Sequence, residues 1–330
     1  MKTILQKIYD GEVLSYEQAY DTMSDITALR FSNEEVAAFL SAFNMRMPAT
    51  DEFKGFRQAI LDKAITIRFS QPTIDVCGTG GDGKNTFNIS TLAAFVAAGA
   101  GVYVAKHGNY AASSVSGSSN VLENLGIQLT NQQHKIIEGL EECKIAILHA
   151  PYFHPSLKNV APIRKAIAVK TVFNLLGPVV NPMMPEFQMT GVANLKIAQL
   201  YRDLLREVGV GFALVHGLEG YDEVSLTCST KIIYKDIDIE LEPSSFGSRT
   251  LQQNEIFGGE TPQEAANIFM TIISGKGTEA QNNVVCANAS IAIALYKKLD
   301  LKSALQEARE SLSQLTALES FEKLKSIYNA

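Results

Sequence analysis

The residues of this 330-residue chain best suited to chemistry are concentrated between Asp75 and Gly126, where glycine, serine, threonine and asparagine replace the long charged side chains of an ordinary surface. Ile74 to Cys77 predicts a short buried strand. Gly78, Gly80, Gly81 and Gly83, with Gly101 later, let the backbone take turns closed to other residues. Ser90 or Thr91 is expected to cap an apolar helix over Leu92 to Ala98. A strand, a glycine-rich turn and a helix N-terminus, in that order, make an anion site from backbone N–H groups and the helix dipole, and phosphate is its natural guest.

Two known signatures overlap on these glycines. Gly78, Gly80 and Gly83 spell the dinucleotide pattern GxGxxG, which needs an acidic residue at the end of the next strand, about 20 residues on. That strand, read as Val102 to Ala105, leads instead into Lys106 and His107. Gly78 to Lys84 also fits GxxxxGK, but Asn85 stands where magnesium requires Ser or Thr. The plainer reading, a connector without a ligand, has to account for a second loop, Lys106 to Ser119. It opens with Lys106, His107, Gly108 and Asn109 and continues through Ser113, Ser114, Ser116, Ser118 and Ser119. Hydroxyls with one Lys and one His suit a group carrying several phosphate oxygens. Two such loops on neighbouring strands would converge at the usual α/β ligand crevice, so a highly phosphorylated small molecule is expected.

Two further places carry chemistry. Phe212 to His216 predicts a strand, after which Asp222 and Glu223 offer adjacent hard oxygen ligands of the kind Mg²⁺ takes on a phosphate substrate. Alone, such a pair is usually a solvated turn. Within Val160 to Ala168, Arg164 could grip a carboxylate with two hydrogen bonds, although a lone arginine is more often a surface charge.

The elements that must position these residues follow from pattern. Ser15 with Gln18 and Ser32 with Glu35 are capping boxes, and Thr50 or Asp51 is expected to cap a further helix. They predict a small all-helical domain over residues 1–70, joined by a returning segment at about 160–185, with apolar faces that also offer a dimer surface. Pro151 and Pro155 argue against a strand or helix interior between His149 and His154, and GPVVNP makes the end of Thr171 to Pro182 a rigid loop. Strands over Ile145 to Leu148 and Lys231 to Tyr234, a turn at Ser244 to Gly247, and helices over Pro262 to Ile273, Ala280 to Tyr296 and Leu301 to Leu315 complete a larger domain over 71–330. The expected fold class is α/β, a small helical domain beside a central mixed sheet flanked by helices. Hydrophobic content of 46% and charged content of 19% describe a protein with a sizeable core. A net charge of −6 argues against a nucleic-acid surface. Four cysteines without CxxC spacing, and no apolar run of membrane length, predict reduced thiols and a cytoplasmic protein.

GTGGD at Gly78 to Asp82, NIST at Asn88 to Thr91, KHGN at Lys106 to Asn109, SGSS at Ser116 to Ser119, FNLLGPVVNP at Phe173 to Pro182 and DEVSL at Asp222 to Leu226 occur together and in order. Over nearly its whole length the chain resembles the anthranilate phosphoribosyltransferases. The resemblance implies a Mg²⁺-dependent transfer of phosphoribosyl from 5-phosphoribosyl 1-diphosphate to the amine of anthranilate, by a dimer formed through the helical domain. It also implies donor binding by Gly78, Gly81, Asp82, Thr86, Asn88, Ile89, Ser90, Thr91, Lys106, His107, Gly108, Asn109, Tyr110, Ala111, Ala112, Ser113, Ser114 and Ser118. Gly78, Asn109 and Arg164 would take anthranilate, and Ser90, Asp222 and Glu223 the metal. Tyr110 and Val115 depart from basic residues common in relatives, and Lys170 stands for an arginine. A pyrimidine nucleoside phosphorylase is the enzymatic alternative, but its SGRG-type segment is missing. A non-catalytic nucleic-acid-binding relative is the other, and it would need a basic face.

Overall fold

The computed structural model describes residues 1–111 and 115–330. They form two compact units, one of Met1–Ile67 with Ala150–Met184 and one of Arg68–His149 with Pro185–Ala330.

In the helical unit, Tyr16–Thr27 and Asn33–Met45 begin with the two capping boxes: Ser15 Oγ accepts from Gln18 N–H and Ser32 Oγ from Glu35 N–H, each glutamine or glutamate reaching back in turn. The next helix, Thr50–Leu61, is not capped by Thr50 or Asp51. Ala49 is its N-cap, and Glu52 Oε2 accepts the Ala49 N–H at 2.8 Å. Glu52 is fully buried, yet its other bonds, from Leu14 N–H and both terminal nitrogens of Arg46, satisfy the carboxylate. Phe39, Phe43 and Phe56 meet edge to face around this point. The stretch expected to be irregular around Pro151 and Pro155 is in fact a short helix, Ala150–Phe153, and a 3₁₀ turn, Pro155–Val160. Each proline sits in a first turn, where its missing N–H costs nothing. Ala161–Ile167 and Val172–Leu176 are helical, and a 3₁₀ turn, Gly177–Val179, follows.

The second unit is built on a seven-stranded sheet: β1 Ile74–Gly78, β2 Val104–Gly108, β3 Ile145–His149, β4 Phe187–Gly191, β5 Gly211–Gly217, β6 Thr230–Ile233 and β7 Asp238–Leu241. The order is β3-β2-β1-β4-β5-β6-β7, parallel from β3 to β5 and antiparallel at β6 and β7. The expected mixed sheet is therefore present. β2 starts two residues later than expected, so Lys106 and His107 lie inside the strand. Both have partners there, the Lys106 ammonium on the Val76 carbonyl at 2.6 Å and the His107 N–H on Asp75 Oδ1 at 3.1 Å. Helix Ile89–Gly99 is buried along almost its full length, with Phe95 edge-on to Phe269 and Phe321. It begins before the expected Leu92, with Asn88 as N-cap rather than Ser90 or Thr91.

Candidate active site

The chain leaves β1 for β2 on one side and returns to β4 on the other, so the strand order reverses between β1 and β4, where doubly wound sheets open a crevice at their carboxyl ends. β1, β2, β4 and β5 each end in glycine, namely Gly78, Gly108, Gly191 and Gly217. In three of them packing explains the choice. A Cβ on Gly191 would lie 1.5 Å from the Asp222 carbonyl oxygen, one on Gly78 2.6 Å from Asp222 Oδ2, and one on Gly108 2.4 Å from Ser118 Oγ. At Gly191 the clash is with backbone and only hydrogen leaves room, whereas at Gly78 and Gly108 a Cβ would displace the Asp222 carboxylate and the Ser118 hydroxyl.

Asp222 and Glu223 follow β5 and turn toward the glycine loop. Asp222 Oδ2 accepts the Gly80 N–H at 2.7 Å. Glu223 Oε1 accepts the Ser90 N–H at 3.0 Å, and its Oε2 the Thr86 hydroxyl at 3.4 Å. The helix N-terminus read from sequence as an anion site thus receives a carboxylate from its own chain. Burial, and next the neighbouring Asp82, raise the Asp222 carboxyl to about 7. Burial and then Asp222 and Asp82 push Glu223 well above the ordinary glutamate range. Acidic groups this crowded suit a hard divalent cation, which would relieve the repulsion and take one or two carboxylates. Lys106, buried beside them, is lowered by desolvation.

The glycine loop turns through positive φ at Gly80, Gly81, Gly83 and Asn85. Asp82 Oδ1 accepts the Lys84 N–H, and Thr86 pairs with Phe257 in an isolated bridge. The second loop is closed at its base by Asn120, whose Oδ1 accepts from both Ala111 N–H at 2.9 Å and Gly117 N–H at 3.1 Å. Asn88 Nδ2 donates to the Ser116 carbonyl, tying the two loops together. Asn109 Oδ1 accepts the Tyr110 N–H, and the Asn109 carbonyl accepts from Ser119 N–H and Ser118 Oγ. Tyr110 donates its hydroxyl to Glu123 and sets its ring against His149. His149 in turn lies 2.8 Å from Ser119 Oγ, and burial lowers it to about 4. Ala112, Ser113 and Ser114 lie outside the described residues. In the helical unit, Arg164 lies in the last turn of its helix with its guanidinium over the Phe173 ring at 5.3 Å. Desolvation lowers it, and among the described residues no carboxylate pairs with it.

Residues 70–318 match the glycosyl transferase family a/b domain, and residues 2–64 the helical bundle domain of the same family. The chain is 51% identical to the anthranilate phosphoribosyltransferase of Flavobacterium johnsoniae across 99% of both chains, and 45% identical to that of Phocaeicola vulgatus across 98% of both. The chain belongs to the anthranilate phosphoribosyltransferase family. The fold agrees. The anthranilate phosphoribosyltransferase of Thermus thermophilus superposes with a TM-score of 0.92 at 34% identity, covering 99% of each chain. The Saccharomyces cerevisiae enzyme in complex with PRPP and Mg gives 0.90 at 27% identity, over 98% of this chain and 96% of that one.

Within this anthranilate phosphoribosyltransferase fold, Gly78, Gly80, Asp82, Thr86, Ser90, Asp222 and Glu223 form one cluster, with Lys106 beneath it. Asn109, Tyr110 and Ser118 belong to the second loop, and Arg164 to the other compact unit. Sequence reasoning missed Gly191, Asn120 and Asn288. Asn288 lies on helix Glu279–Lys297 with its carboxamide on the Val224 backbone. A buried asparagine in the small-residue run at Ala287 to Ala292 was the available signal for the last of these, because an amide in such a run needs a partner.

Proposed function

We propose that the chain transfers the phosphoribosyl group of 5-phosphoribosyl 1-diphosphate to the amine of anthranilate, releasing pyrophosphate. The observation that carries this reading is the pair Asp222 and Glu223, bonded to the glycine-rich turn and to the helix N-terminus after it at the sheet's switch point, in a member of this family. The bond from ribose C1 to the diphosphate oxygen breaks, a bond from the anthranilate nitrogen to C1 forms, and the amine's proton goes to water or a diphosphate oxygen. Positioning and electrostatics do most of the work. Backbone N–H groups at Gly78 to Asp82, with Thr86, the Asn88 to Thr91 turn and the Lys106 to Ser118 loop, hold the donor. Asp222, Glu223 and Ser90 would hold Mg²⁺, which supplies positive charge to the leaving diphosphate when bound. Arg164 takes the carboxylate of anthranilate. Arg164 combines an unpaired fork with a phenyl face beside it, which suits an aromatic carboxylate.

Replacing Arg164 tests the acceptor assignment. Arg164→Ala is expected to raise the KM for anthranilate on the order of tenfold or more, as loss of a charge-assisted pair does, while the KM for the phosphoribosyl donor stays within about twofold. Equal effects on both substrates would contradict it. We also assign the exposed apolar residues Tyr9, Val13 and Met45 of the helical unit to contact with a second copy of the chain. Sedimentation should give a dimer, with monomer the contrary result.

A further inference from the structure

We propose that Asn288 is a positioning residue for the acidic pair, holding the Asp222–Val224 backbone so that both carboxylates stay turned toward the glycine loop. The proposal rests on the magnesium reading above.

Asn288 is only 1% exposed, on a helix whose neighbouring Val284, Val285, Ala287, Ala289 and Ile291 are all buried. An amide there gains nothing from helix propensity and is costly to bury unless paired. Its carboxamide pairs with Val224 as one peptide group pairs with another. Asn288 Oδ1 accepts the Val224 N–H at 3.0 Å, and its Nδ2 donates to the Val224 carbonyl at 2.9 Å. The second Nδ2 proton goes to the Val284 carbonyl at 2.9 Å, which fixes the rotamer against the helix.

Val224 adjoins Glu223 and lies outside every strand of the sheet. The side chain of Asn288 therefore supplies the ladder partner that the sheet does not. Gly191 crowds the Asp222 backbone so closely that it tolerates no Cβ, and a Cβ on Gly78 would displace the Asp222 carboxylate. The segment is thus fixed by two bare strand ends at Asp222 and by one carboxamide at Val224. Metal ligands held by such outlying bonds typically lose ten- to a hundredfold in affinity when the bonds are removed.

The test uses the full chain with Asn288→Leu, which keeps the branched shape but has no polar atoms, Asn288→Ala, which removes acceptor and donors without added bulk or charge, and Ile291→Val as a control on the same helix. Hydrogen exchange without metal or substrate reads the clamp directly. In Asn288→Leu the Val224 amide should exchange roughly tenfold or more faster relative to the amides of β5. With both substrates present, the Mg²⁺ concentration for half-maximal turnover should rise about tenfold or more, with the anthranilate KM within about twofold. Ile291→Val should move neither. If Asn288→Leu does not fold, Asn288→Ala carries the same expectations in the same direction. Unchanged Val224 exchange and unchanged Mg²⁺ dependence in a folded Asn288 variant would overturn the proposal, as would an equal Mg²⁺ shift in Ile291→Val. Wild-type turnover indifferent to Mg²⁺ would instead sink the magnesium reading and, with it, the metal-positioning role, even where exchange still marks a backbone clamp.

Discussion

Asp222 has the most testable electrostatics in the chain. Its carboxyl is raised from 3.8 to about 7 by burial and by Asp82, so between those values the native state holds a proton that the unfolded chain has lost. The associated stability is full below the unfolded value and is lost as pH rises through about 7. His149 and His154, each lowered to about 4 by burial, act in the opposite sense: their contribution is full above the ordinary histidine range and is lost as pH falls through about 4. Comparing the wild type with Asp222→Asn cancels the histidines. Without metal, the wild-type advantage should be larger at pH 5 than at pH 8 by on the order of 2 kcal/mol, as urea unfolding would read it. A pH-independent difference would contradict the raised carboxyl. Lys106 was expected beside a phosphate from its place in KHGN. Its ammonium lies on the Val76 carbonyl and its backbone lies inside β2, and nothing in the local sequence distinguishes a lysine within a strand from one that opens a loop.

At the scale of elements, capping chemistry was legible because it is local: the Ser15 and Ser32 boxes need only residues three apart. β1, β3 and β5 were legible as short apolar runs. β4 was not, because Phe187–Gly191 carries Gln188 and Thr190, which bond to each other in the interior and so hide a buried strand behind polar letters. β7 is an edge strand whose residues alternate between exposed and half-buried; the alternation of Asp236 to Leu241 was the available signal, and the sequence reading did not take it up. The closure of the second loop was hidden as β4 was, since Asn120 reads as one more polar residue in a serine-rich stretch. Its side chain accepts both Ala111 and Gly117 N–H groups. Asn120→Ala should therefore loosen the loop and raise the KM for the phosphoribosyl donor roughly tenfold, the worth of two lost hydrogen bonds, with little change in the melting temperature. A melting temperature that falls while the donor KM stays put would mean Asn120 only stabilises the fold.

At the scale of the whole molecule, the order of motifs along the chain carried more than any one of them. GTGGD, KHGN and DEVSL are far apart in sequence, and the sheet order brings the first and last together: β1 and β4 are neighbours, β5 lies beside β4, and Asp222 returns across Gly191 to Gly78. That return could not be read from sequence, because the glycine that permits it, Gly191, ends a strand that was not foreseen. Among the described residues no helix is long and apolar enough to cross a membrane. The central claim is the reaction itself, and it can be measured in one cuvette: purified protein, anthranilate, 5-phosphoribosyl 1-diphosphate and Mg²⁺, with anthranilate fluorescence followed over time. The fluorescence should fall with enzyme-dependent kinetics and stop on addition of EDTA, and it should not fall with the Asp222→Asn, Glu223→Gln double variant. A folded wild-type protein that leaves the fluorescence unchanged would contradict the account.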